Sequence, residues 1–179
     1  NNANDGGTRW IYDVTLYPKN LTGIPSLEKT LREDKADTGK NSGSISDITD
    51  CYAHTGTASA GDVIDYQIIS TLPSITSTAS FLTDYTFIDT LSKGISYNKG
   101  DVLLEFFKDE NCTDLITSWE EPSDRFLVNY NSTAEGAGVM TISMTASGLA
   151  EINSSKAVYT GESMVNSGYS DCTLRITYK

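Results

Sequence analysis

Two ionisable residues of opposite charge occur where the sequence predicts apolar strand faces. Lys29 stands between two leucines, and Asp89 stands between a phenylalanine and a leucine, in each case two positions away. Because side chains of a strand alternate between its two faces, each charged residue shares a face with its apolar neighbours. An unpaired buried charge is strongly disfavoured and tends to become neutral. The pattern therefore predicts a lysine and an aspartic acid inside the core.

Such a pair could form a covalent bond within the chain. A neutral amine is a nucleophile, and Asp89 in its protonated form could polarise the carbonyl of a neighbouring Asn or Asp and relay protons while Lys29 attacks it. The product would be an intramolecular isopeptide bond. A plain buried ion pair explains the same spacing, as does a shift of register by one residue that puts both groups in water. The periodicity by itself favours these simpler explanations.

The composition predicts an all-β chain around this pair. Ser, Thr, Gly and Asn are abundant, only 38% of the residues are hydrophobic, and ten tyrosines suit half-buried strands. The length of 179 residues allows one ordinary core plus the end of another domain. Alternating patterns predict strands at a spacing typical of a β-sandwich. They cover residues 10–17, 27–31, 63–72, 85–91, 102–107, 125–130, 139–145, 157–165 and 173–179.

The segments between these strands carry weaker signals. Residues 32–61 are polar and predict an exposed excursion with at most short structure. Residues 148–153 give the only hint of a helical turn. In the strand at 63–72 the alternation predicts that Asp65 and Gln67 face solvent.

Charge and hydropathy exclude two classes of partner. The chain has 13 Lys and Arg against 24 Asp and Glu, and the resulting net charge of −11 repels phosphate backbones and anionic headgroups. No apolar run approaches the length that spans a membrane, and the first residues lack the regions of a signal peptide. We expect no nucleic acid partner, no membrane insertion, and a mature or excised soluble piece.

The cysteines indicate no metal site. Cys51, Cys112 and Cys172 have no CxxC spacing and only His54 nearby. One disulfide in a secreted protein and three ordinary thiols both remain open.

Paired acidic residues give no convincing hydrolase site. Adjacent residues on a strand point to opposite faces, so 109–110 or 120–121 would not converge on one bond. The acids at 109–110 could hold calcium, but no EF-hand spacing accompanies them. We predict no metal, no cofactor and no catalysis on an external substrate.

Residues 10 to 20 carry the most specific motif. The segment resembles the pilin motif of sortase-assembled pili of Gram-positive bacteria. Its residues are Trp10, Val14, Leu16, Tyr17, Pro18, Lys19 and Asn20. In that family the lysine amine attacks the sortase-bound carboxyl terminus of the next subunit, so the resemblance implies that Lys19 is the acceptor of the intersubunit isopeptide bond. Pro18 has no N–H for a strand ladder, which suits an exposed lysine after it.

The remainder of the chain resembles the immunoglobulin-like second domain of such backbone pilins, a CNA-like β-sandwich. The resembling segments are 25–29, 60–66, 87–97 and 174–178. The resemblance divides the chain into residues 1–22, the end of a preceding pilin domain with the motif and a linker, and residues 25–179, the isopeptide-type domain.

The family also assigns roles to the buried pair. Its lysine at the position of Lys29 bonds to an asparagine of the last strand, aided by an acid that best matches Asp89. That asparagine would come a few residues after Tyr178, so we expect the acceptor beyond Lys179. Asn166 is a poor substitute because it precedes the final strand. The periodicity and the resemblance choose the same lysine and the same acid.

These inferences predict the shaft subunit of a covalent pilus, outside the cell and anchored to the cell wall. The expected partners are other pilin subunits and a class C sortase, and a host surface ligand is a further candidate. Two alternatives stay open. One is an adhesin or minor pilin whose excursion at 32–61 contacts a host ligand. The other is a secreted eukaryotic glycoprotein, because Asn-X-Ser/Thr triplets begin at residues 20, 111, 131 and 153.

Overall fold

The computed structural model describes residues 8–9, 13–18, 26–33, 52–54, 57–58, 60–132 and 137–179. In these residues the chain is mostly β, as the composition predicts. The strands are β1 (Thr8–Arg9), β2 (Asp13–Pro18), β3 (Leu27–Glu33), β4 (Thr57–Ala58), β5 (Ile64–Thr71), β6 (Tyr85–Leu91), β7 (Leu103–Phe107), β8 (Leu115–Glu120), β9 (Phe126–Ser132), β10 (Gly138–Met144), β11 (Val158–Thr160), β12 (Ser163–Asn166) and β13 (Thr173–Tyr178). A helix, α1, spans Ala146–Ser154, and a short 3₁₀ turn spans Thr78–Ser80.

Two antiparallel sheets form the body of the described structure. The larger has the strand order β3-β5-β13-β7-β8, and the smaller has the order β2-β6-β10-β9. Two-stranded pairs β1-β4 and β11-β12 accompany them. This architecture is compatible with an all-β sandwich.

One apolar core contains residues of both sheets. Ile68, Leu104 and Ile176 come from the larger sheet, and Phe87 and Ile142 come from the smaller one. All five are at most 1% exposed. They occupy the apolar positions of their alternating strands, and burying each such side chain stabilises the fold by about 1.5–3 kcal/mol. The period-two pattern therefore predicts directly which strand residues face the core.

Strand β2 carries the backbone of the pilin-like motif and joins the smaller sheet. It pairs antiparallel with β6, with Val14 opposite Asp89 and Pro18 opposite Tyr85. The motif residues Trp10, Lys19 and Asn20 lie outside the described residues. For the motif residues in β2, only the backbone is described. The proposed division of the chain between residues 22 and 25 stays a prediction.

Strand β8, the helix and the segment 157–165 differ most from the prediction. Strand β8 was not predicted, although Leu115–Glu120 pairs with β7 through a bulge. The predicted helical turn is a nine-residue helix, whose first turn is capped by the Thr145 side chain accepting from the Gly148 N–H. The single strand predicted at 157–165 is a hairpin, because Gly161 adopts a φ of +63° and reverses the chain.

The prediction that Asp65 and Gln67 face solvent is wrong. They are 6% and 4% exposed. Because β5 is an interior strand, its outward side chains have neighbours on both sides, and Arg32 Nε donates to Asp65 at 3.0 Å. The Arg32 guanidinium lies 4.7 Å from the Tyr52 ring centre. Part of the polar excursion thus packs on the outer side of the larger sheet.

The end of α1 is tied to the loop before β6 by one side chain. Asn153, 6% exposed, donates from Nδ2 to the Leu82 carbonyl at 2.9 Å and accepts from the Leu82 N–H at 2.8 Å. A single amide therefore satisfies both main-chain groups of a buried residue.

We expect Asn153→Ala to lower the free energy of unfolding by about 3 kcal/mol, because two buried main-chain groups lose their partners. Chemical denaturation monitored by circular dichroism measures the loss. Ser154→Ala, on the exposed side of the same turn, is the matched control and should change stability by less than about 0.5 kcal/mol. Equal effects of the two substitutions would contradict this account.

Candidate functional site

The two large sheets bring Lys29 and Asp89 into direct contact. Lys29 lies on β3 opposite Ile68, and Asp89 lies on β6 opposite Val14 and Met140. The Lys29 Nζ is 2.6 Å from each carboxylate oxygen of Asp89. Their side chains are 4% and 2% exposed. Both lie in the core, as the alternation predicts, and they form a buried ion pair across the sandwich.

Two tyrosines surround the Lys29 amine. Its Nζ lies 4.5 Å from the ring centre of Tyr66 and 5.9 Å from that of Tyr178. The two rings stack with centres 5.3 Å apart and an interplanar angle of 13°. Because Tyr66 and Tyr178 are opposite each other on β5 and β13, the strand register itself sets this stack. Aromatic faces attract a cation and exclude water from it.

The Tyr178 hydroxyl also belongs to the site. It donates to Asp89 Oδ2 in a short hydrogen bond, and the residue is 2% exposed. Asp89 therefore receives donors from β3 and from β13. Sequence reasoning missed this role, although one signal was available: Tyr178 continues the inward face of Leu174 and Ile176, and a buried tyrosine hydroxyl usually finds a partner.

The electrostatics of the pair follow from its burial. Moving two charges out of water costs several kcal/mol per ion, and the attraction offsets this cost only where geometry and further hydrogen bonds are good. Here the carboxylate accepts from an ammonium at both oxygens and from a phenol at one. Transfer of one proton from Lys29 to Asp89 would turn the ion pair into a neutral amine beside a neutral acid. Only in that neutral form would the arrangement hold a nucleophile beside a proton donor.

A cleft of about 520 Å³ adjoins this site. Tyr66 and Lys179 line it, together with Ile95 and Tyr97 from the segment after β6. The Asn98 N–H donates to the main-chain carbonyl of Lys179 at 2.8 Å. The cleft thus lies beside the end of β13 and reaches one of the two rings that cover the lysine.

The described cysteines are not paired with each other. Cys112 and Cys172 are free thiols, and Cys51 lies outside the described residues. Burial raises the pKa of Cys172 to about 12 and also raises the pKa of Cys112. Burial therefore favours the protonated form of both thiols.

Asp109, considered above as a possible calcium ligand, is hydrogen-bonded within a turn. The Asp109 carboxylate accepts the N–H groups of Thr113 and Asp114 in the turn between β7 and β8, and its first oxygen is 2.7 Å from the Asp114 nitrogen. In the part of the chain that the structure describes, no group of three or more His, Cys, Asp or Glu side chains could hold a metal ion.

Asn166, considered above as a poor substitute for the isopeptide acceptor, lies on β12 opposite Val158.

Comparisons with protein-family models, curated proteins and solved structures found no significant match to this chain. The resemblance to backbone pilins thus rests on the sequence motifs alone. Among the described residues, no helix is long and apolar enough to cross a membrane.

We expect Lys29→Met to destabilise the chain by about 3–5 kcal/mol, because it leaves the Asp89 carboxylate buried without its cation. The double variant Lys29→Met/Asp89→Leu should recover most of this loss, since two apolar groups can fill the same space. Denaturant unfolding of the three proteins measures both effects.

The control for this pair is Lys108→Met, which removes the exposed ion pair to Asp114 and should cost less than about 1 kcal/mol. A double variant as unstable as Lys29→Met would show that the charges do not depend on each other.

Proposed function

We propose that this chain is part of the shaft subunit of a covalent, sortase-assembled pilus on the surface of a Gram-positive bacterium. In this proposal the described sheets are an immunoglobulin-like pilin domain of the CNA-like type. The observation that carries the proposal is the buried contact between Lys29 and Asp89, which joins the first strand of the larger sheet to the opposite sheet. It supplies the amine and the acid that an internal isopeptide bond requires.

The pilin-like motif supports the role of Lys19 in joining subunits. Strand β2 is the outer strand of the smaller sheet among the described residues, and its ladder to β6 ends at Pro18. A lysine that directly follows the end of an outer strand suits attack on an enzyme-bound carbonyl. In the proposed reaction the Lys19 amine displaces the sortase cysteine from the acyl group of the next subunit, and an amide bond replaces the thioester.

The internal bond would form without an external enzyme. Lys29 passes a proton to Asp89 and attacks the side-chain carbonyl carbon of an asparagine that the family resemblance places after Tyr178. Asp89 polarises the carbonyl oxygen, protonates the departing nitrogen and takes up the second proton that the lysine nitrogen loses. A carbon–nitrogen bond to Lys29 forms, the original amide carbon–nitrogen bond breaks, and one ammonia leaves. Exclusion of water and fixed proximity supply the rate.

The position of β13 favours this chemistry. Its last residue, Tyr178, touches Asp89, so the end of the strand lies beside the reacting pair. A bond from β3 to a residue after β13 would close nearly the whole domain into one loop. Such a loop restricts the unfolded chain, as a long-loop disulfide does.

The proposal defines the partners and the location. The chain is a substrate of a class C sortase and of its own isopeptide chemistry, and it acts on no external substrate. Its partners are further pilin subunits, and the net charge of −11 disfavours nucleic acid. The full-length subunit is extracellular and attached to the cell wall.

A surface adhesin or minor pilin is the second candidate, and the β11-β12 hairpin favours it. Val158, Tyr159 and Val165 are 58%, 56% and 47% exposed there. Exposed apolar side chains on one small sheet offer a contact surface for a host ligand. A purely adhesive subunit would give Lys19 no role, so polymerisation distinguishes the two.

Lys19→Ala in the full-length subunit should abolish the ladder of covalent polymers, because the acceptor amine is lost. Denaturing gels of cell-wall extracts from bacteria expressing each variant measure the ladder. The matched control is Lys99→Ala, which removes an exposed lysine of the described structure and should leave the ladder intact. An unchanged ladder in Lys19→Ala would place the junction at another lysine, and a missing ladder in the wild type would favour the adhesin.

Intact mass of the full-length subunit tests the internal bond. The wild type should lack the mass of one ammonia for this domain, and Asp89→Ala should retain it because no acid relays the proton. Asp124→Ala, which removes an exposed acid, should react like the wild type. A wild-type domain with its full calculated mass would refute the internal bond while leaving the role of Lys19 untouched.

A further inference from the structure

The two oxygens of the Asp89 carboxylate have different surroundings. Lys29 Nζ contacts both at 2.6 Å, but the Tyr178 hydroxyl donates to Oδ2. A carboxylate oxygen that accepts a hydrogen bond from a fixed phenol is a poorer place for a further proton. The two oxygens of Asp89 therefore differ in how readily they accept the proton that Lys29 must release.

The Tyr178 hydroxyl is held in place by its ring. The residue is 2% exposed, and its ring stacks on Tyr66, its register partner on β5. Because the ring is confined between neighbours, the hydroxyl oxygen has little freedom to leave Asp89. The side chain thus fixes the orientation of the carboxyl group from the strand that ends the domain.

We propose that Tyr178 is a positioning residue of the isopeptide site. Its hydroxyl occupies Asp89 Oδ2, so that Oδ1 is the oxygen that takes the proton from Lys29 and later delivers it to the departing ammonia. Tyr178 itself loses and gains no proton overall. This inference rests on the proposed internal isopeptide bond and adds a residue to it.

A buried tyrosine elsewhere in the same core provides the comparison. Tyr85 is fully buried on β6, the strand that carries Asp89, and its hydroxyl lies 3.1 Å from Ser70 Oγ. It shows that a core tyrosine of this sandwich can satisfy its hydroxyl with a neutral partner. A Tyr→Phe change at either position removes one buried hydroxyl, but only Tyr178→Phe affects the carboxyl group.

The test follows the loss of ammonia in full-length subunit made by cell-free synthesis, by intact mass at successive times. We expect Tyr178→Phe to slow the reaction about tenfold, because an orienting hydrogen bond to the acid is lost. Tyr85→Phe should react at the wild-type rate. Circular dichroism of both variants monitors folding independently of the reaction.

The outcomes separate this inference from the proposed function. Ammonia loss at the same rate in wild type and Tyr178→Phe would overturn the positioning role and leave the isopeptide bond standing. Equal slowing in Tyr178→Phe and Tyr85→Phe would show that the effect comes from lost packing. That result would also overturn the positioning role. No ammonia loss in the wild type would refute the internal bond and the inference with it.

A measurement on the unaltered chain applies even where Tyr178→Phe fails to fold. Nuclear magnetic resonance of the 179-residue chain should show a slowly exchanging Tyr178 hydroxyl proton close to the Asp89 side chain. A rapidly exchanging hydroxyl proton would remove the hydrogen bond on which the inference depends.

Discussion

Two opposite charges buried between two sheets constrain the rest of this structure. Neither Lys29 nor Asp89 can be in the core without the other, since a single buried charge is far more costly than a paired one. Their contact at 2.6 Å requires β3 and β6 to keep their registers, because a shift of one residue would turn either side chain out of the core. The pair therefore restricts how the two sheets can be assembled.

The surroundings of the pair follow from the same constraint. The larger sheet supplies Tyr66 and Tyr178, whose rings cover the amine and whose stack depends on the pairing of β5 with β13. The Tyr178 hydroxyl adds a donor to the carboxylate. The cation, the anion and the aromatic rings thus come from four strands of both sheets. An arrangement of this kind holds the amine and the carboxyl group together without a flexible loop, as the proposed bond within the chain would require.

In the proposed pilus, this placement would matter to a subunit under tension. Lys29 lies near the start of the larger sheet, and Tyr178 lies at the end of its last described strand. A covalent bond between these regions would carry load past the hydrogen-bond ladders of the strands between them. The outer face of the same sheet is stabilised differently, by the Arg175–Glu105 ion pair at 2.9 Å as well as by Arg32 and Asp65. These polar contacts involve neither Lys29 nor Asp89.

The sequence by itself determined the β class, most strands and the burial of both charged residues, because period-two alternation is a local property of a strand. The motif at residues 10–20 was also recognised from residue types and spacing, and its role stays a prediction. Only the tertiary structure decided that Asp89 meets Lys29 and Tyr178, since these contacts join residues 60 and 89 positions apart. It also decided that Asp65 and Gln67 are buried, because the solvent exposure of a strand face depends on what packs over it. Alternation shows which residues share a face, but what lies opposite that face depends on how distant strands pair.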